Sequence, residues 1–127
     1  MLINVETTKD FDKVVQDLQE ASKARSYGVM SVHEVHNILQ SKGFPIDYRC
    51  TIVEICNPRA ASQALSQESA ISTAMPCRIS VIEKEGKVVL STLAPTYILS
   101  QFGVKELEEL AKSVEEEIKA IMEEAAK

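Results

Sequence analysis

Apolar positions along this chain repeat with two periods, about two and about 3.6 residues, and the switches between them mark out the elements. Leu2-Ile3-Asn4-Val5 reads as a short first strand. Thr7 or Thr8 then offers a helix cap, with Lys9 and Asp10 in the first turn. Phe11, Val14, Val15, Leu18 and Ala21 follow the spacing of one buried helical face. Gly28 ends the connection, and Val29 to Val32 forms a second strand. Glu34 to Lys42 predicts a short helix with Val35, Ile38 and Leu39 inward, stopped by Gly43. Phe44-Pro45-Ile46-Asp47 is a linker.

Tyr48 to Cys56 is the clearest strand, rich in β-branched and apolar residues. Tyr48, Cys50, Ile52, Glu54 and Cys56 share one of its faces; Arg49, Thr51, Val53 and Ile55 share the other. Asn57-Pro58 opens the next helix as N-cap and first turn, with Ala61, Ala64 and Leu65 toward the sheet. Gln67 to Ala74 reads as a polar connection. Cys77 to Glu83 is a strand, Lys84-Glu85-Gly86 a hairpin turn and Lys87 to Ser91 the returning strand.

Pro95 begins a short helix through Tyr97, Ile98 and Phe102, stopped by Gly103. Lys105 to Ala126 is a long amphipathic helix with a stripe of Leu107, Leu110, Ala111, Val114, Ile118, Ile121, Met122 and Ala125. Glu108–Lys112, Glu115–Lys119 and Glu123–Lys127 are spaced as i,i+4 ion pairs. The order β-α-β-(α)-β-α-β-β-α predicts one α+β domain over residues 1–127, an antiparallel sheet with helices packed on one face.

Composition narrows the function classes. At 127 residues the chain buries roughly 65% of its unfolded surface without staples. A net charge of −5, with scattered basic residues and a mostly acidic C-terminal stretch, argues against nucleic acid as a partner. No apolar run is long enough to span a membrane, and the first residues lack a signal-peptide pattern, so a cytoplasmic location is expected. The 3 cysteines are too few and too widely spaced for a secreted disulfide framework.

Candidate chemistry gathers at two motifs, Cys56-Asn57-Pro58 and Met75-Pro76-Cys77. Each sets a cysteine beside a proline at a strand end, and antiparallel strands would bring both thiols to one end of the sheet. They read either as small buried hydrophobes or as a pair that oxidises, accepts sulfur or holds a soft metal. A thiolate near the start of the Pro58 helix would gain from the helix field, and Arg78 follows Cys77 directly. Two cysteines alone do not close a zinc site, so no metal is expected. Cys50 lies about 20 Å along the strand from Cys56 and is expected in the core. His33 and His36, spaced by three, suit solvated or capping roles better than metal ligation. No phosphate loop, nucleophile elbow or Ser/His/Asp set stands out, and no cofactor is implied.

The run Ile55-Cys56-Asn57-Pro58-Arg59-Ala60-Ala61, then Leu65, then Met75-Pro76-Cys77-Arg78-Ile79-Ser80-Val81 resembles the family called domain of unknown function 302. Tyr27-Gly28-Val29 and Ile38-Leu39 sit where that family has a strand entry and a leucine helix. Met75 stands where leucine is usual, and Tyr27-Gly28 replaces a Gly-Phe order. The resemblance covers about Tyr27 to Thr92. It implies a TATA-binding-protein-like antiparallel sheet backed by helices, and a homodimer. It implies no activity.

Together these readings favour a homodimeric ligand-binding or redox- or sulfur-linked sensor domain, with Cys56, Asn57, Cys77 and Arg78 as the binding residues. The dimer is also expected from the apolar surplus of the 95–102 segment and the last helix. The alternatives are a thiol-dependent enzyme with Cys56 or Cys77 as nucleophile, and a purely structural partner of another protein. An activating base is missing from the neighbourhood of either cysteine in sequence, which weakens the enzyme reading.

Overall fold

A computed structural model describes every residue from Met1 to Lys127. Strands β1 (Leu2–Thr7), β2 (Gly28–Glu34), β3 (Arg49–Cys56), β4 (Cys77–Lys84) and β5 (Lys87–Leu93) alternate with helices α1 (Phe11–Ala24), α2 (Val35–Ser41), α3 (Pro58–Gln67), α4 (Pro95–Ser100) and α5 (Glu108–Ala126). Short 3-10 turns at Ser69–Ala74 and Lys105–Leu107 precede β4 and α5. All five strands form one antiparallel sheet in the order β1-β5-β4-β3-β2. The predicted α+β class and element order hold.

Alternation decides which sheet face is covered. Thr51, Val53 and Ile55 of β3, Ile79 and Val81 of β4, and Val88 and Leu90 of β5 are buried. Helices α1 and α5 close over them with Phe11, Val14, Leu18, Ile118, Ile121 and Met122. Each large aliphatic side chain buried here contributes roughly 1.5–3 kcal/mol. The α5 stripe is therefore core. The opposite sheet face, with Cys50, Ile52, Ile82 and Val89, is only half-buried.

Tyr27, at the entrance to β2, is 1% exposed and joins the sheet to α5. Its hydroxyl donates to the Glu117 carboxylate at 2.8 Å. Burial, and then the bond to that carboxylate, push the phenol far above its ordinary range, so it stays a neutral donor.

Several local expectations change. Asp10, rather than Thr7 or Thr8, caps α1 by accepting from Lys13 N–H. Strand β1 runs on to Thr7, which pairs with Val88, so the helix starts later. Gly43 does stop α2: at φ +86 it lets Gly43 N–H reach Gln40 and Phe44 N–H reach Leu39. Ile38, expected inward, is 42% exposed, because α2 lies beside β2 and β3 and not under the main helices. Tyr48 precedes β3 instead of opening it.

Leu65 is 39% exposed and Ala64 takes the buried position of α3. The expected polar connection 67–74 contains a 3-10 turn whose Ile71 is fully buried with Ala64 and Leu107 in a second, smaller core. Leu99 and Phe102 pack on that cluster, so the apolar surplus of the 95–102 segment is used within the chain and only Tyr97 remains well exposed. The β4–β5 turn has Glu85 and Gly86 at φ 53 and 80, a two-residue connection between Lys84 and Lys87.

Of the expected ion pairs, Glu115–Lys119 forms at 3.6 Å. Lys112 and Lys127 turn instead to Glu109 and Glu124, one turn position closer. Glu115 also accepts from the Thr96 backbone N–H and hydroxyl, and so serves as the cap that Ala94 does not supply to α4.

Helix α5 has no basic residue in its last turn. Lys9 fills that role from outside: its ammonium donates to the Ala125 carbonyl at 2.8 Å and to Asp17 at 2.6 Å, while Thr7 Oγ1 donates to the Ala126 carbonyl. Lys9→Ala should therefore lower stability by about 1 kcal/mol in urea melts. Lys13→Ala, at the solvent side of the same Asp17, should leave the midpoint almost unchanged.

Candidate functional site

The β3–β4 pairing brings the two cysteine motifs together at one sheet end. Its register sets Ile55 opposite Cys77, while Cys56 lies opposite Gly28 of β2. The cysteines are thus offset by one residue, and strand alternation sends them toward opposite faces. Asn57 closes the strand and caps α3 by accepting from Ala60 N–H at 3.1 Å, with Pro58 at the first helical position, as its sequence implies. All three cysteines are free thiols.

A cavity of about 340 Å3 wraps around this end of β4. On the covered side it is bounded by Tyr27, Ala64, Ile71, Leu99 and Val114; on the open side by Leu2, Ser80, Ser91 and Leu93. Cys56, Asn57, Met75, Pro76, Cys77 and Arg78 form the rim between the two. All four residues singled out from the sequence, Cys56, Asn57, Cys77 and Arg78, therefore meet at one cavity. Cys50 does not. It sits on the open face rather than in the core, because helices cover the Thr51–Val53–Ile55 face. Burial pushes its thiol up.

Cys77 packs against the main core, and burial, aided by the charge of Cys56, pushes its thiol up to about 11. Desolvation keeps Cys77 a neutral thiol. Arg78 does not face Cys77 either. Its Nε donates to Glu54 at 3.0 Å on the open face.

Glu54 is the residue that sequence reasoning missed. Its carboxylate accepts from Ser31 Oγ and from Arg78, and stands 3.3 Å from His33 Nε2. These partners, Ser31 first and Arg78 second, hold it down to about 2. Ser31 and Glu54 approach the same ring nitrogen of His33, so the set is not a relay in which a carboxylate orients one nitrogen and the other activates a hydroxyl. A usable signal was the i,i+2 spacing of Ser31 and His33, which puts them on one strand face. The missing piece was the register that sets Glu54 opposite Ser31. His36 caps: its Nδ1 lies 3.1 Å from Cys50 N, whose N–H donates to it, and its ring meets Phe11 edge-on. No group of three or more His, Cys, Asp or Glu is placed to hold a metal ion.

Two outcomes follow from these shifts. Glu54 has a folded value near 2 against an ordinary 4.5, so the unfolded chain binds the extra proton between those values. Its contribution to stability is complete above pH 4.5 and is lost as pH falls toward 2, and Glu54→Gln should remove that part of the acid limb. For Cys77, alkylation followed by peptide mass spectrometry should be slow at neutral pH and accelerate only as pH nears 11. Fast labelling of Cys77 at pH 7 would contradict its burial.

No curated protein matches the chain. A crystal structure of an uncharacterized conserved protein DUF302 from Bacillus stearothermophilus superposes with a TM-score of 0.93, covering 98% of this chain and 97% of that one at 23% identity, a likeness of fold. The family model described as Domain of unknown function DUF302 matches residues 3–125. With nearly its whole length matched, the chain belongs to the DUF302 family.

Proposed function

We propose that this domain is a homodimeric binding or sensor module that holds a small apolar molecule at the start of β4, with Cys56, Asn57, Cys77 and Arg78 around it. The observation that supports the reading most is the cavity itself. Its volume of about 340 Å3 falls within the range of small-molecule sites, and its wall is mostly apolar with a few polar groups at the rim. Two thiols in that rim add a redox- or sulfur-linked response, because a change at either sulfur alters the polarity of the wall.

The enzyme reading has less behind it. No side-chain base is hydrogen-bonded to Cys56 or Cys77, and Cys77 is a neutral thiol at physiological pH. A purely structural role gives the cavity no use. Free cysteines suit a reducing compartment such as the cytoplasm, and no helix is long and apolar enough to cross a membrane. With a net charge of −5, nucleic acid is not the expected partner. The dimer is supported by the open sheet face, where Cys50, Ile52, Ile82 and Val89 are only half-buried.

Octan-1-ol is a suitable apolar probe. Titrated into the 15N-labelled protein, it should shift the amides of Cys77, Ile71 and Leu99 and leave α1 unaffected. Ala61→Phe, which places a ring in the cavity, should weaken it by roughly tenfold or more. Shifts spread over the whole surface would remove the cavity from the account. Sedimentation at micromolar concentration should give twice the 14.0 kDa chain mass, and a clean monomer would remove the dimer.

A further inference from the structure

Arg78 is held by one edge only. Its Nε is committed to Glu54, and neither terminal amino group has a protein partner. Glu54 in turn is anchored from behind by Ser31 and His33, so the guanidinium is oriented before any ligand arrives. Arg78 lines the cavity and Glu54 does not. Arg78, whose side chain is about half exposed, lines the cavity together with Ser80 and Leu93 on the open side and Ile71, Leu99 and Val114 on the covered side.

We infer that the ligand is an apolar monocarboxylate, with its carboxylate on the two terminal amino groups of Arg78 and its chain running past Cys77 into the apolar end. The inference rests on the proposed binding role of the cavity and adds the chemistry of its ligand. A planar fork with two adjacent donors matches a carboxylate in a bidentate pair. A neutral apolar molecule would leave the fork unused.

Calorimetry with octanoate and octan-1-ol, matched in chain length, tests the head group. Octanoate should bind at least about tenfold more tightly than the alcohol, the size expected for a charge-assisted pair. Arg78→Gln should bring octanoate down to the affinity of octan-1-ol, and a far-UV circular dichroism spectrum matching the wild type shows that the variant is folded. If both ligands bind equally, or Arg78→Gln keeps the preference, the carboxylate assignment is overturned and the cavity reading stands. If neither ligand binds the wild-type protein, both fall.

Discussion

The antiparallel pairing of β3 with β4 is the constraint on which this molecule's site depends. With Ile55 set opposite Cys77, the chain must leave β3 and enter β4 at the same sheet end. The segment between them cannot be a tight hairpin, because it holds α3 and a 3-10 turn. That crossover packs on α5 and on the turn before it, and needs a small core of its own, built from Ala64, Ile71 and Leu107. The cavity is the space left where this second core fails to merge with the first. Its apolar wall follows from the residues that both cores require.

Alternation along β4 then divides the rim into two environments. Cys77 turns toward the helices, where burial keeps its thiol protonated. Arg78, one residue on, turns to the open face, where it meets the Glu54 carboxylate. There hydrogen bonds outweigh desolvation, and Glu54 moves in the direction of ionisation. A dry end and a charged rim thus arise from consecutive residues. Thr92 links the two, since its hydroxyl donates to the Arg78 carbonyl from β5.

Much of this was legible in the sequence because it is local. The stripe from Leu110 to Ala125, the Asn57-Pro58 cap and the Gly43 stop depend on residues a few positions apart and formed as read, while Lys105–Leu107, expected in the same helix, winds as a 3-10 turn that sends Leu107 to the second core. The meeting of Cys56 and Cys77 needed only one non-local premise, the antiparallel neighbour. The failures share a cause. Both faces of β3 carry apolar residues, so periodicity alone did not say which one the helices would cover, and Cys50, correctly placed on the face of Cys56, was expected in the core. Ile71 looked isolated in a polar stretch, and its burial depends on α3 folding back toward Leu107. The Glu54 cluster draws on three strands, and only the register joins them.

The cavity and the offset cysteines support the proposal that this end of the sheet holds a small molecule. Native mass spectrometry of the protein purified from its source cells tests that claim most directly. The account predicts a non-covalently retained small apolar molecule in a one-to-one ratio with the chain, released when Ala61→Phe fills the cavity. A bare chain mass under gentle ionisation, unchanged by that substitution, would contradict it.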